Sequence, residues 1–365
     1  MTVPYHLRFP PAQLVERSLQ IILENQSSTG AFIASPNFPM YAFCWFRDSS
    51  YIAYALDLYG KHEAAARFHA WAASVINERG EIIQRALQKA VSGEPLMDAD
   101  ILHTRYTLDG RENHSTFWEN FQLDGFGTWL WSLNEHRKLA GSPMPQEWIQ
   151  AASLTADYIA GLWRIPCYDC WEEFGKEIHP YTLATIYGGL KAYGEITGDY
   201  RYQTMDAILS FLHEYAQADG HWQKFVGNSQ VDASLLALST PYRLVQPDTE
   251  TMRRTAAKIE ADLHLGGVKR YATDTFYGGG QWVLLAAWLG WYWWEVGEKQ
   301  KTWQLRHWIE VQADERGWLP EQVAVDVNNE SMVAPWVEKW GPSAMPLLWS
   351  HAEYLILCKV MQDNK

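Results

Sequence analysis

Basic runs are missing from this 365-residue chain, in which 43 acidic residues outnumber 30 lysines and arginines for a net charge of −13. No stretch offers the positive face that a phosphate backbone or an anionic bilayer requires, so nucleic acid and membrane are excluded as partners. Cysteine is scarce. Four residues are too few for a disulfide framework and fit a reducing cytoplasm. Cys167 and Cys170 form a C-x2-C pair, but Cys44 and Cys358 lie far off, and the spacing supplies no histidine partners for zinc. No metal or other cofactor is expected. Long hydrophobic runs are absent too: the most apolar, WVLLAAWLGWYWW at 282–294, is too short for a bilayer and reads as a buried helix. The start, MTVPYHLRFPPAQL, has no basic region leading into an apolar one, so no secretory leader is expected. Neither G-x-S-x-G, H-E-x-x-H nor a phosphate-binding P-loop occurs, which removes serine-hydrolase, zinc-peptidase and nucleotide chemistry.

Aromatic residues are what the chain has in excess, with 20 Trp and 19 Tyr. They fill cores, and their flat faces also stack on the CH faces of pyranose rings. Helical periodicity runs almost throughout. LVERSLQIILENQ, DSSYIAYALDLYG, EAAARFHAWAASVI and TLATIYGGLKAYGEITG carry apolar residues at i, i+3, i+4 and i+7, and eight further segments, the short VDASLLALS among them, bring the expectation to about twelve helices. Alternating strand patterns are nearly absent, so the chain reads as all-α. A helix apolar all round (QWVLLAAWLGWYWW) is often followed by an amphipathic one (TWQLRHWIEVQADERG); the first kind is buried on every side and the second has a wet face. Six such pairs make an inner and an outer ring, an (α/α)6 barrel. No Pro/Ser-rich or charged linker interrupts it, and a single domain over 1–365 is expected.

Polar, glycine-rich and aromatic stretches precede the inner helices: FCWFRDSS, NFQLDGFG, CWEEFGKEIHP, VDASL, RYATDTFYGGG and the segment from LPEQ to WGPSAMP. In a barrel of helical hairpins the inner amino ends share one rim, so these stretches converge on a pocket walled by Trp45, Trp171 and Trp282. Its acids would be Asp48, Asp124, Glu172, Glu173, Asp274 and Glu321. Acids and aromatics without a phosphate loop suit glycoside hydrolysis, in which one carboxylic acid protonates the leaving oxygen and a second carboxylate activates water or attacks C1. Glu172 follows Trp171, and an apolar neighbour with the like charge of Glu173 would hold it protonated. "WEE" alone also fits a solvated turn, and Asp48 alone fits a helix N-cap before SSYIAYAL.

Taken together, FCWFRDSSYIAYAL, FQLDGFG, YDCWEEFGKEIHPYTLATIYGGL, VDASLLAL, VKRYATDTFYGGGQWVLLAAWL and LPEQ…PLLWSHAEYL resemble glycoside hydrolase family 15, the glucoamylase family, from about Phe43 to Tyr354. The resemblance implies an (α/α)6 barrel that removes glucose from non-reducing ends with inversion. It gives Glu172 the role of general acid and Glu321, in LPEQ, that of general base. Arg47 and Asp48 would grip the terminal glucose, Glu173 and Arg270 would contact sugar, and Tyr41, Trp45 and Trp171 would join them. Asp124 is counted with this group, although its motif position, like that of Asp274, suggests support. The amino-terminal β-sandwich and starch-binding module of many members are not apparent. Short α-glucosides are therefore expected as substrates, isomaltose and isomaltooligosaccharides before maltooligosaccharides, with trehalose an alternative. A phosphorylase would have a phosphate site in place of the base, and the anionic sugar of a uronide hydrolase would be repelled by this acidic rim. A non-catalytic sugar-binding barrel is the reading from outside enzymes.

Two features read as structural, and a third as part of the site. His179 and His351 lie in motif loops but suit satisfied core histidines better than ligands. Trp291, Trp293 and Trp294 suit inner-helix packing. The segment Val323 to Trp340, with Trp336 and Trp340 in it, reads as a long loop that shapes the leaving-group side, since long loops in compact domains tend to be functional.

Overall fold

The computed structural model describes residues 7–114 and 117–362. Among these, thirteen α-helices carry the fold: α1 (Pro11–Glu24), α2 (Phe46–Leu58), α3 (His62–Asn77), α4 (Gly80–Ser92), α5 (Asp124–Ala140), α6 (Gln146–Leu162), α7 (Pro180–Thr197), α8 (Tyr202–Tyr215), α9 (Glu250–Leu263), α10 (Val283–Glu295), α11 (Lys299–Val311), α12 (Val333–Trp340) and α13 (Leu348–Val360). The inner ring is a circuit of contacts. It runs from α2 to α5, α7, the 3₁₀ segment Ala233–Leu238, α10 and α13, and returns to α2. Outside it, α1 packs on α13, α3 on α2, α6 on α5 and α7, α8 on α7, α9 on the 3₁₀ segment and α11 on α10. This is the (α/α)6 arrangement.

Hydrophobic patterning sorts the two rings. Every residue of α10 from Val283 to Trp294 is buried. On α9 only the stripe Met252, Thr255, Ala256, Ile259 and Leu263 is buried, as suits a helix with one wet face. Trp291, Trp293 and Trp294 pack inside with the rest of α10. Close approach also shapes the ring: a Cβ on Gly127 of α5 would stand 2.4 Å from the Thr185 carbonyl oxygen, and one on Gly189 of α7 2.7 Å from that of Gly127. Only hydrogen fits between these backbones.

Three elements differ from expectation. VDASLLALS supplies one wall of the inner ring as a 3₁₀ segment, Ala233–Leu238, and Pro241 soon after keeps it short by disfavouring helical backbone at Thr240. α4 was missed; it buries only Ile83 and Ala86, too sparse a stripe to register. The stretch 323–340 is not a long loop. It begins in a strand, passes a 3₁₀ turn at Glu330–Met332 and ends as α12.

Short ladders lock the rim. Cys44–Trp45 pairs antiparallel with Arg105–Tyr106 just before α2. A four-stranded sheet orders His264–Leu265, Gly267–Val268, Gln281–Trp282 and Gln322–Val323, whose register brings Trp282 beside Val268 and Gln322 and so sets Trp282 near the segments that carry Arg270 and Glu321. Among the described residues no helix is long and apolar enough to cross a membrane.

Candidate active site

The amino ends of α2, α10 and α13 open on a cavity of about 370 Å³, with Arg47 and Asp48, Trp282 and Trp349 respectively in its wall, large enough for a small ligand. Glu172 and Glu321 both face into it. Glu321 directly precedes the strand Gln322–Val323, and the backbone N–H of Val283 donates to its carbonyl at 3.3 Å. Its carboxylate is 2 % exposed. It accepts from the Tyr41 hydroxyl at 2.8 Å and from the Ser343 hydroxyl at 3.1 Å. Burial pushes its pKa up to about 7 against the pull of these two donors.

Glu172 sits on a turn in which its own N–H donates to the Asp169 carbonyl at 2.9 Å. Its φ is +65° and that of Phe174 +53°, left-handed backbone that non-glycine residues adopt at a cost of about 1–3 kcal/mol each when the surroundings impose it. The imposing network is buried. Asp169 Oδ1 accepts from the N–H groups of Trp171 and Glu173 at 3.0 and 2.9 Å. Lys224 lies 3.4 Å from Asp169 and donates to Asp232 at 2.6 Å, and Asp232 in turn accepts from the Trp171 indole at 3.0 Å. The acids of CYDCWEE thus divide: Asp169, between the two cysteines, builds the turn, and Glu172 is presented by it. Cys167 and Cys170 are buried free thiols whose pKa burial raises; they pack.

The neighbours of Glu172 differ from those expected. Trp171 and Glu173 both line the cavity, but Trp171 turns its N–H to Asp232 and Glu173 accepts from Arg270 at 3.2 Å and from Tyr271 at 2.5 Å. The Trp45 indole instead donates to Glu172 at 2.7 Å, and Arg47 stands 3.6 Å away. Tyr41 and Trp45 meet edge to face with ring centres 5.6 Å apart. Each of these two rings therefore holds one of the two carboxylates.

Arg47 and Asp48 belong to the first turn of α2, which starts at Phe46 without a side-chain cap; the N-cap reading of Asp48 is overturned. Their side chains come within 3.3 Å as an ion pair without hydrogen-bond geometry, and both Arg47 Nε and Asp48 Oδ2 remain without a hydrogen-bond partner. Burial raises the Asp48 pKa to about 6, with Arg47 opposing. Asp124 is fully buried behind Arg47, which donates to it at 3.3 Å, and does not reach the cavity. Arg270 is held by Asp274 through two hydrogen bonds of 2.7 and 2.5 Å and lies over Trp171, Tyr271, Phe276 and Trp282. His179 donates to the carbonyls of Cys167 and Phe174, and His351 bonds Ser18 and the Leu319 N–H; neither lines the cavity.

Several contributors had escaped sequence reasoning. Trp118 and Phe276 add to the wall, beside Trp336 and Trp340 of the segment already expected near the site; Ser343 holds Glu321, and Lys224 joins two acids. Trp336 and Trp340 stand one helical turn apart, a signal hidden by reading their segment as a loop. Nothing local marks Lys224.

The sequence profile described as glycosyl hydrolases family 15 matches residues 12–359. An isomaltose glucohydrolase of Kribbella flavida is 38% identical over 354 residues, covering 94% of this chain and 91% of that protein. An uncharacterized glycosyl hydrolase of Methanocaldococcus jannaschii is 29% identical, with 94% and 55% covered. A glycosidase variant solved in complex with glucose superposes with a TM-score of 0.92 at 37% identity, over 99% of both chains. A bacterial glucoamylase complexed with acarbose shares the fold at a TM-score of 0.75 and 20% identity, covering 95% of this chain and 55% of that one.

Proposed function

The chain belongs to glycosyl hydrolases family 15 and is a glycoside hydrolase, and from that premise we propose that it is an inverting, exo-acting α-glucosidase of one catalytic domain. It releases β-D-glucose from the non-reducing ends of short α-glucosides, isomaltose and isomaltooligosaccharides before maltooligosaccharides. The observation that carries this reading is the pairing of two carboxylates from different hairpins with two touching aromatic residues, Glu172 with Trp45 and Glu321 with Tyr41, across one cavity.

Glu172 is the general acid and protonates the glycosidic oxygen as the bond to C1 breaks. Glu321 is the general base: it takes a proton from the water that attacks C1 from the opposite face, which requires carboxyl groups about 6.5–9.5 Å apart. The donors Tyr41 and Ser343 favour its ionised form once pH exceeds its raised pKa. Arg47 and Asp48, which line the cavity as an ion pair, hold the terminal glucose, because a charged donor beside a charged acceptor suits neighbouring hydroxyls. Glu173, Arg270, Trp171, Trp45 and Tyr41 complete the sugar site, and Asp124 fixes Arg47 from behind. α12 brings Trp336 and Trp340 to the leaving-group side. The preference for α-1,6 links rests on likeness to the Kribbella isomaltose glucohydrolase.

Replacing Glu172 or Glu321 by glutamine tests the assignment. Either variant should still bind glucose but lose turnover of isomaltose; full turnover by either would end the proposed roles. Comparing kcat/KM on isomaltose, maltose and trehalose tests the linkage, and a trehalose value above that for isomaltose would overturn it.

A further inference from the structure

α2 carries polar clusters at both ends. Arg47 and Asp48 begin it at the cavity, and Asp57 lies near its other end, in a helix about 20 Å long. Asp57 is fully buried, and among the described ion pairs its partners are histidines only. It accepts from His62 Nδ1 at 2.7 Å, and His136 Nδ1 of α5 lies 2.9 Å from both of its oxygens. His69 of α3 packs with its ring centre 5.0 Å from that of His136. It has no exposed surface, and both of its ring nitrogens lack a hydrogen-bond partner. Buried polar groups are nearly always satisfied, so two orphaned nitrogens on one imidazole point to a missing ligand.

One ligand atom from each of Asp57, His69 and His136 lies within 4.8 Å of the other two. We propose that these three side chains bind a divalent transition-metal ion of the zinc class at the end of the barrel away from the sugar cavity, with His62 as the fourth ligand. Zinc bonds of about 2.0–2.2 Å place tetrahedral ligand atoms roughly 3.3 Å apart, so Asp57, His69 and His136 need to contract by at most about 1.5 Å, while His62, which stands outside that spacing beside Asp57, would have to swing in. Two or three neutral imidazoles and one carboxylate suit zinc, cobalt or nickel rather than magnesium or calcium, which favour oxygen. Burial disfavours the imidazolium form of His69 and keeps it able to coordinate. His62 is 38 % exposed and gives an ion its way in. The ion would tie the α2–α3 turn to α5, a structural role outside the hydrolytic chemistry.

The test uses the full chain, stripped with a chelator and titrated with ZnCl₂ by calorimetry and with CoCl₂ by visible absorption. One zinc per chain, a higher Tm in zinc and the intense visible bands of four-coordinate cobalt are expected. His69→Leu removes the two orphaned nitrogens and should fold; in it zinc affinity should fall at least tenfold and the cobalt bands vanish. Should that variant fail to fold, His136→Gln is held to the same criterion. No stoichiometric zinc in the wild type, or zinc and cobalt signals retained in the folded variant, would overturn the site.

Discussion

Tyr41→Phe isolates one hydrogen bond to the carboxylate on which water activation depends. The hydroxyl donates to Glu321 at 2.8 Å and favours its charged form. A hydrogen bond to a charged group contributes about 1.5–3 kcal/mol, and one pH unit corresponds to about 1.36 kcal/mol. Ser343 and Arg270 still stabilise the carboxylate in the variant, so the lower end applies and the pKa should rise by about one unit. The sign follows from the role. A base works only when ionised, so kcat/KM increases as pH rises through the Glu321 pKa, which burial has placed at about 7. In Tyr41→Phe the acid limb of the kcat/KM profile for isomaltose should move about one unit upward, giving roughly a tenfold defect below the limb and little above it. The ring and its contact with Trp45 remain. A loss equal at every pH, or a limb moved downward, would refute the reasoning that Tyr41 acts through the ionisation of Glu321.

Trp45→Phe keeps an aromatic ring, smaller than the indole, and removes the N–H donated to Glu172; kcat/KM should fall by about 10- to 100-fold, and wild-type rates would show that this bond does not orient the acid. Lys224→Met leaves Asp169 and Asp232 buried without their cation, so urea unfolding should show a loss of about 3–5 kcal/mol and hydrolysis should weaken as the Glu172 turn loosens. An unchanged midpoint would mean that the two acids find other partners. Gly127→Ala drives a methyl into the α7 backbone and should cost about 1–3 kcal/mol, read as a lower Tm by calorimetry; an unaltered Tm would place the helices farther apart.

Fold and chemistry were unequally legible. Eleven of the helices announced themselves because each buries a continuous stripe or its whole surface, and the inner–outer alternation followed from α10 beside α11. α4 escaped because it buries two residues. α12 escaped because it buries none outright and lies against rim aromatics such as Phe276, contacts set by tertiary structure. In the site, residue types and motif order pointed to Glu172, Glu321, Arg47 and Arg270, all of which reach one cavity. Charge distribution was less visible. Sequence adjacency set Trp171 and Glu173 beside Glu172, but the left-handed turn aims the three side chains at different partners. Burial raises the pKa of Glu321, which no sequence neighbour announced. Asp57, His69 and His136 are separated by too many residues for any spacing rule to join them; only the packing of α2, α3 and α5 does.

Single displacement by Glu172 and Glu321 is the central claim, and the anomeric form of the first glucose released tests it most directly. Panose, with an α-1,6 link at its non-reducing end and an α-1,4 link at its reducing end, is followed by proton NMR from the first minutes of reaction. β-Glucose should appear first, together with maltose, and mutarotate afterwards. α-Glucose appearing first would mean retention, and the acid and base roles given to the two carboxylates would be wrong.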